Sequence, residues 1–309
     1  MYLLGIEASE RKTHCLISDE KGNIFAEGFG GAANYKEIGH AQMLNAIGTA
    51  VQRSLDKLNL KIEDIACIVV GISGLQDEEE RALLVKMCKP IFGEVPLEIL
   101  NDAHIILRAG NEAYWGVVTH CNSGHSTFGR NRKGDSIRLR SVEKEVAIKG
   151  GVEELVREGI YYALKSEEGI IGATKLQQEI PKLFGKKDMY QVSELIRSEG
   201  IKEEIKTQFL IMINTLGKQR DKIAQSLLIN MGKVMGQSVG AVIRKLGEQD
   251  EAIPIILTGA ITSIDCPILF DAYMLEIHKI APYAYLKVLE NKPAVGACAL
   301  AIETLHKTR

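Results

Sequence analysis

The sequence lacks the features that mark membrane-spanning, secreted or nucleic-acid-binding proteins. Its formal net charge is only -2, so there is no excess of basic residues, which disfavours nucleic acids and anionic membranes as partners. Its longest apolar runs are far shorter than the roughly 20 residues that span a bilayer. The first residues show neither a basic segment nor a signal-peptide cleavage pattern. We therefore expect a cytoplasmic protein.

The six cysteines lack the spacing of a redox or metal site. They form no C-x-x-C pair and show no metal-like His/Cys spacing. Scattered cysteines of this kind are typical of small buried side chains in a reducing compartment. The six are Cys15, Cys67, Cys88, Cys121, Cys266 and Cys298.

The chain also lacks a linker rich in proline, glycine or serine. At 309 residues it nevertheless exceeds the usual size of a single hydrophobic core, so two domains are expected. With 46% apolar and 25% charged residues, the composition is that of an ordinary globular protein. We expect two domains coupled by a hinge.

A strand-turn-strand pattern that occurs twice is the main positive signal. The first copy has apolar strands at 3–7 and 14–18, separated by a polar turn. The second copy has strands at 115–119 and 126–129, joined by a turn over 120–125. Two such β-meanders predict a duplicated domain with a central cleft, into which each first turn points and where phosphate would be held.

The residues that follow the first meander predict an α/β domain. Apolar residues at helical spacing predict one long helix over 35–58, and a continuous apolar run at 65–71 predicts a strand covered on both faces. A helix at 77–87 and a strand at 97–100 complete the order βββαβαβα, which resembles the ribonuclease-H-like domain.

The second half restarts this order with a larger helical insertion. Its last inserted helix, over 203–246, is predicted to break near Gly217, and Pro293 is suited to the first position of a final helix. We predict one domain over residues 1–110 plus 294–309. The second domain is predicted over 111–293.

Seven short segments, in order along nearly the whole chain, carry a resemblance to a known family. On these segments the sequence resembles the N-acetylglucosamine kinase and BadF-type ATPase branch of the actin-like ATPase and sugar-kinase superfamily. The segments are Gly5-Ile6-Glu7 with Lys12-Thr13, Gly31-Ala32-Ala33-Asn34, Gly71-Ile72-Ser73-Gly74, Asn101-Asp102-Ala103, Gly129-Arg130-Asn131, Leu257-Thr258-Gly259-Ala260 and Pro293-Ala294-Val295-Gly296-Ala297.

The resemblance implies a duplicated ribonuclease-H-like α/β fold, with ATP and an amino sugar bound between the lobes, and it suggests a homodimer. It places Asp102 where the family has the carboxylate that takes the proton from the sugar hydroxyl. The residues implied on the sugar side are Asn34, Ser73, Gly74 and Asn101. Two simpler interpretations stay open: Asn101 and Asp102 suit a helix cap equally well, and Asn34 suits an ordinary turn.

The resemblance also implies that the first turn of each meander binds ATP. Glu7 would in addition help to hold Mg²⁺. The strand-to-helix turn at Gly259 keeps a glycine that would let the backbone approach a base or ribose, although such a turn favours glycine in any case. The residues implied for ATP are Glu7, Lys12, Thr13, Ser123, Gly124, Ser126, Gly259 and Ala260.

The phosphate turns depart from the family pattern. The family has Asp-Gly-Gly-Gly-Thr-Lys-Thr in the first turn, whereas residues 7–13 contain no glycine and Glu10 adds a negative charge. Side chains at left-handed positions would cost about 1–2 kcal/mol each, so we expect strain and a weakened phosphate nest. In the second turn Gly124 is the only glycine, and His120 and His125 are interpreted as parts of a polar turn and not as metal ligands.

The sugar side departs as well. The family segments Gly-Gly-Trp-Gly and Leu-Gly-Asp-Glu-Gly-Ser are replaced at 140–143 and 146–151, so the tryptophan and the aspartate are both lost. Ile148 cannot replace the contacts that such an aspartate makes to a polar sugar, and a site built on hydrogen bonds loses selectivity steeply when partners vanish.

Three functions follow from this combination. The first is a divergent N-acetylhexosamine-kinase-like protein with impaired or altered ATP-dependent activity. The second is a non-catalytic relative that binds a sugar, a nucleotide or a protein partner. The third, an ATPase activator of the dehydratase type, is disfavoured because no cysteine pair has the spacing expected for a shared iron–sulfur cluster.

Overall fold

The computed structural model describes residues 1–139 and 150–308, and the chain forms two compact units. Unit 1 comprises Met1–Trp115 together with Leu289–Arg309, and unit 2 comprises Gly116–Val288. The chain therefore leaves unit 1 once and returns to it at its C-terminal end. All six cysteines are buried with free thiols. Among the described residues, no helix has the length and apolar character needed to cross a bilayer.

Each unit contains a five-stranded mixed sheet, and the two sheets are built alike. Their orders are β3-β2-β1-β4-β5 and β10-β9-β6-β7-β8. In each, the first strand pairs antiparallel with the second and parallel with a later one. This arrangement confirms the predicted α/β fold with a repeated meander. The strands are Tyr2–Ala8 (β1), Thr13–Asp19 (β2), Ile24–Gly30 (β3), Ile65–Ile72 (β4), Leu97–Asn101 (β5), Gly116–Cys121 (β6), His125–Arg130 (β7), Ser136–Arg138 (β8), Pro254–Thr258 (β9) and Tyr285–Val288 (β10).

Helices follow the strands in both units, and unit 2 has four consecutive inserted helices before a fifth returns to its sheet. The helices are Tyr35–Ile38 (α1), His40–Asp56 (α2), Glu78–Phe92 (α3), Asp102–Gly110 (α4), Val152–Glu167 (α5), Leu176–Leu183 (α6), Met189–Glu199 (α7), Glu203–Lys218 (α8), Lys222–Leu246 (α9), Pro267–His278 (α10) and Pro293–Thr308 (α11).

The core of unit 1 lies on both faces of its sheet. Because side chains alternate along a strand, Leu4 and Ile6 of β1 pack with residues of α2 and α3. Leu3 faces the other way and packs with residues of α4 and α11. The approach of α2 to β3 is very close, since a Cβ atom at Gly30 would lie 2.0 Å from the Ala46 carbonyl oxygen.

The core of unit 2 includes the long helix α9, which packs closely on α10. A Cβ atom at Gly232 would lie 2.4 Å from the Leu269 carbonyl oxygen, and one at Gly236 would lie 2.5 Å from that of Tyr273. The Tyr273 hydroxyl in turn hydrogen-bonds the Thr119 hydroxyl of β6 at 2.9 Å. Both side chains are buried, so this bond ties α10 to the central strand.

The structure corrects two of the predicted boundaries. The single helix predicted over 35–58 is two helices, because the backbone turns at Gly39 with a φ of 81°. The second meander turn is shorter than predicted, since His120 and His125 lie in strands and the turn is confined to 122–124. The predicted break near Gly217 is confirmed by the end of α8 and the start of α9.

Candidate functional site

The carboxyl ends of β1, β4 and β5 bring several of the predicted residues of unit 1 together. These three strands are parallel neighbours, so the segments that follow them emerge at one edge of the sheet. Just after β4, the Ser73 amide donates to the Ala8 carbonyl oxygen at 2.9 Å. The Ser73 hydroxyl donates a short hydrogen bond to Oδ2 of Asp102, the first residue after β5. A loop from one strand thus fixes a carboxylate at the end of the next.

Asn101 and Asp102 have separate roles at the start of α4. The Asn101 side-chain oxygen accepts from the Ala103 amide at 3.1 Å, and its Nδ2 donates to the Leu75 carbonyl oxygen at 3.0 Å. Asn101 is therefore the helix cap, and both polar groups of its amide are used by the protein. The Asp102 carboxylate, by contrast, is not the cap and is held by Ser73.

Glu7 lies at the end of β1 with a buried, unsatisfied oxygen. Within the described residues, its Oε2 atom has no hydrogen-bond partner. Burial raises the pKa of Glu7 above its ordinary value, the Lys12 charge opposes that rise, and the negative charge of Asp102 adds to it. Glu7 is thus close enough to both Lys12 and Asp102 for their charges to act on it. A buried carboxylate oxygen without a partner is chemically suited to Mg²⁺ or to a water bound to it.

Asn34 and Gly74, both predicted on the sugar side, are in contact. Gly74 has a φ of 88°, and a Cβ atom there would lie 2.6 Å from the Asn34 side-chain oxygen. That oxygen also accepts from the Lys36 amide at 3.3 Å and caps the short helix α1. The residues after β3 and β4 are therefore brought together, as a shared binding surface would require. Asn34 also has a structural role as the cap of α1, in line with the simpler interpretation.

The first turn is closed by its own hydrogen bonds and is not strained. The Ser9 amide and hydroxyl both donate to the Lys12 carbonyl oxygen at 2.9 Å. The Thr13 hydroxyl donates to the Gly31 carbonyl oxygen at 2.9 Å. The prediction of left-handed strain here is wrong, because the non-glycine residues with positive φ all lie elsewhere in the described chain, at Asn59, Tyr114 and Arg220.

In unit 2, Asn122 organises the second turn and connects it to the segment after β9. Its amide donates to the Gly124 carbonyl oxygen at 2.9 Å, and its side-chain oxygen accepts from the Ala260 amide at 2.7 Å. Gly259 has a φ of 100°, and a Cβ atom there would lie 2.3 Å from the Cys121 carbonyl oxygen. The predicted nucleotide residues of the turn and of the segment after β9 are therefore adjacent.

The two histidines that flank this turn are held by hydrogen bonds. His120 Nε2 bonds the Asn122 side-chain nitrogen at 2.8 Å, and His125 Nε2 bonds the Thr127 hydroxyl at 3.2 Å. Burial, assisted by the charge of His120, lowers the pKa of His125 to about 4. No group of three or more metal-binding side chains occurs in residues 1–139 and 150–308.

Three charged residues at the second turn were not predicted from the sequence. The Lys206 ammonium lies 3.2 Å from the Ser123 hydroxyl and 3.1 Å from a Glu153 oxygen, and it also bonds Glu203. A signal was present, because Lys206 precedes the buried Phe209, Leu210 and Ile213 on the apolar stripe of α8. A lysine on such a stripe needs partners supplied from elsewhere in the fold.

Ser126, which was also predicted to bind ATP, lies in β7. Ser126 pairs with His120 across β6 and β7, next to the turn that holds Ser123 and Gly124. The substituted family segments at 140–143 and 146–149, including Ile148, lie outside the described residues.

Comparisons with known proteins are consistent with this arrangement. The family model described as the BadF/BadG/BcrA/BcrD ATPase family matches residues 4–300. An N-acetylmuramic acid/N-acetylglucosamine kinase of Clostridium acetobutylicum is 22% identical over 300 residues, which cover 97% of this chain and 98% of that protein.

Solved structures show the same fold. A proposed N-acetylglucosamine kinase from Chromobacterium violaceum superposes with a TM-score of 0.71 at 17% identity, covering 97% of this chain and 98% of the other. A ROK family glucokinase from Streptomyces griseus, in complex with glucose and AMPPNP, gives a TM-score of 0.58 at 14% identity over 98% and 100% of the two chains. The fold is that of the actin-like ATPases and ROK sugar kinases.

Proposed function

Because the chain belongs to the BadF/BadG/BcrA/BcrD ATPase family, we propose that it is an ATP-dependent kinase acting on a hydroxyl group of an N-acetylated amino sugar. The relative from Clostridium acetobutylicum has this substrate class in its name. The observation that carries the proposal is the placement of Asp102, whose carboxylate is fixed by the Ser73 hydroxyl and whose negative charge acts on Glu7.

Asp102 is the proposed general base. Phosphoryl transfer depends mostly on positioning and on charge stabilisation, so the base has to orient the sugar hydroxyl and accept its proton late in the step. The hydrogen bond from Ser73 holds one carboxylate oxygen and leaves the other to accept from the substrate hydroxyl. Because Asn101 caps the helix, the Asp102 carboxylate is not required for capping.

Each unit has residues that would contact the nucleotide. Lys12 and Thr13 would serve the first turn, Ser123, Gly124 and Ser126 the second, and Gly259 and Ala260 the adenosine. ATP supplies the transferred phosphoryl group, and Mg²⁺ would neutralise the developing charge. Glu7 would help hold the Mg²⁺, since its Oε2 atom has no partner among the described residues. Asn34, Ser73 and Gly74 would contact the sugar, with Asn101 shaping the loop through its bond to Leu75.

The test is phosphorylation of N-acetylglucosamine, N-acetylmuramic acid and glucose with Mg-ATP, followed by ³¹P NMR. We expect a sugar phosphate from at least one N-acetylated sugar. Asp102→Asn should lower kcat by roughly 10²- to 10⁴-fold, the usual contribution of a general base, with little change in nucleotide binding. Asp271→Asn, at an exposed position of α10, is the matched control and should leave kcat unchanged.

Two results would contradict the proposal. If the protein binds Mg-ATP but phosphorylates no N-acetylated amino sugar, the non-catalytic function is favoured. If a sugar is phosphorylated and Asp102→Asn turns over at the wild-type rate, then the assignment of the base is wrong.

A further inference from the structure

A glutamate of unit 2 contacts the second turn in the way that an anionic ligand would. The Ser123 hydroxyl lies 3.1 Å and 3.0 Å from the two carboxylate oxygens of Glu203. The Lys206 ammonium also donates to this carboxylate and to the Ser123 oxygen at 3.2 Å. One hydroxyl and one ammonium thus converge on a single pair of anionic oxygens.

The two glutamates that surround Lys206 are not equivalent. Glu153 is only 14% exposed and accepts from both Lys206 and Arg157. Burial would raise the pKa of Glu153, but the hydrogen bonds from Arg157 and Lys206 outweigh this effect and hold it below its ordinary value. Glu203 is 61% exposed, so its carboxylate is open to solvent and to dissolved anions. Glu153 is therefore the fixed partner of Lys206, and Glu203 is the one that another anion can displace.

The backbone of the turn is arranged to present hydrogen-bond donors. The first amides of α5 bind its carbonyl oxygens: the Val152 amide donates to Asn122 and the Glu153 amide to Ser123, both at 3.0 Å. In the part of the chain that the structure describes, the backbone amides of Ser123 and Gly124 donate no hydrogen bond. With its carbonyl oxygens engaged, the turn offers N–H groups and a hydroxyl, which suit an oxyanion.

We propose that Ser123 and Lys206 form a binding site for phosphate oxygens of the nucleotide, and that the Glu203 carboxylate occupies this site when no nucleotide is bound. The identity of the ligand as ATP rests on the proposed function; the anion site rests on the contacts in unit 2. Lys206 would supply the positive charge that a turn with one glycine needs. Glu203 would compete with the ligand and lower its affinity, because a site filled by its own carboxylate is open only for a fraction of the time.

The experiment measures binding of tripolyphosphate and of Mg-ATP to the full chain by isothermal titration calorimetry. Glu203→Gln removes the competing charge and should tighten binding of both ligands about tenfold. Lys206→Met, combined with Glu153→Gln so that no buried charge is left unpaired, should weaken binding about tenfold or more. Glu179→Gln is the matched control, because Glu179 forms an ion pair of the same i,i+3 spacing with Lys182 in α6, and it should change neither affinity.

The outcomes separate this inference from the proposed function. If Glu203→Gln binds both ligands no more tightly than Glu179→Gln does, or if tripolyphosphate binds to no variant, then the anion site is wrong. If Glu203→Gln tightens tripolyphosphate binding but no sugar is phosphorylated, the anion site stands and the kinase function fails. A folded Lys206→Met/Glu153→Gln protein with wild-type affinity would also overturn the role of Lys206.

Discussion

The carboxylate of Glu7 is suited to binding a metal ion but unfavourable for the stability of the fold. Its Oε2 atom is buried without a partner in the described residues, which is unfavourable for folding, yet such an oxygen is what a magnesium site needs. Function and stability should therefore respond in opposite directions to the loss of its charge.

We predict that Glu7→Gln stabilises the fold at neutral pH by on the order of 1 kcal/mol, because a buried charge is removed, and weakens Mg-ATP binding. The folded-state pKa of Glu7 is raised from its ordinary value of 4.5. The cost of its charge is therefore full above the folded pKa and vanishes below the ordinary value. Urea denaturation at pH 7.5 and at pH about 4 checks this, with the exposed Glu63→Gln as control. A stabilisation of equal size at both pH values would contradict the explanation.

We predict that His125 gives the stability of the fold a second pH dependence, opposite in sign to that caused by Glu7. Its pKa is lowered from 6.5 to about 4 in the fold, so the unfolded chain binds more protons between these values. Stability should fall by about 1–2 kcal/mol as the pH drops from 7.5 to 5. His125→Gln should reduce this dependence when both proteins are unfolded in urea. An unchanged dependence in the variant would show that other groups, such as the buried His14, are responsible.

Between elements, some helices approach so closely that a glycine in one faces the backbone of another. A Cβ atom at Gly296 of α11 would lie 2.0 Å from the Ile105 carbonyl oxygen of α4, whereas one at Gly48 of α2 would meet only the tip of Ile91 at 3.9 Å. Both glycines lie inside helices, so alanine has the same effect on helix propensity at both sites. A difference between the two substitutions therefore reports on packing.

We predict that Gly296→Ala destabilises the protein by about 2 kcal/mol or more, because α4 and α11 must move apart. Gly48→Ala should instead stabilise it by up to about 1 kcal/mol, because alanine restricts the unfolded chain and favours the helix. Thermal and urea denaturation of both variants provide the measurement. Equal effects of the two substitutions would show that the α4–α11 contact adapts without cost.

In the molecule as a whole, unit 1 is built from both ends of the chain. Helix α11, which comes after unit 2 in sequence, contributes Ala297, Leu300 and Leu305 to a core cluster with Leu3 and Val69. Helix α4 covers part of this face of the first sheet, and α11 completes the cover.

We predict that removing residues 289–309 prevents stable folding of unit 1. The uncovered apolar face costs more than the roughly 5–15 kcal/mol by which a domain is usually stable. Soluble yield and limited proteolysis of the shortened chain are the measurements, and a chain lacking only 307–309 is the control. A truncated chain with protease resistance equal to that of the control would contradict this account of the core.

The order of strands and helices and the repeated meander could be read from the sequence, because apolar periodicity and turn residues are local properties. The joining of α1 and α2 into one helix was wrong, because Gly39 changes the direction of the chain while the apolar spacing continues. Strain in the first turn was also wrongly expected, since residue types showed where glycines were missing but not which φ angles the chain adopts there.

The sequence by itself thus determined the fold class and the positions of Asp102 and Glu7 at strand ends. Only the tertiary structure decided which side chains meet. The Ser73 hydroxyl reaches Asp102 over 29 residues of sequence, and Lys206 reaches Ser123 over 83. No local sequence pattern encodes such pairs. Whether one residue supplies a charge or a hydrogen bond to another depends on how the strands and helices pack.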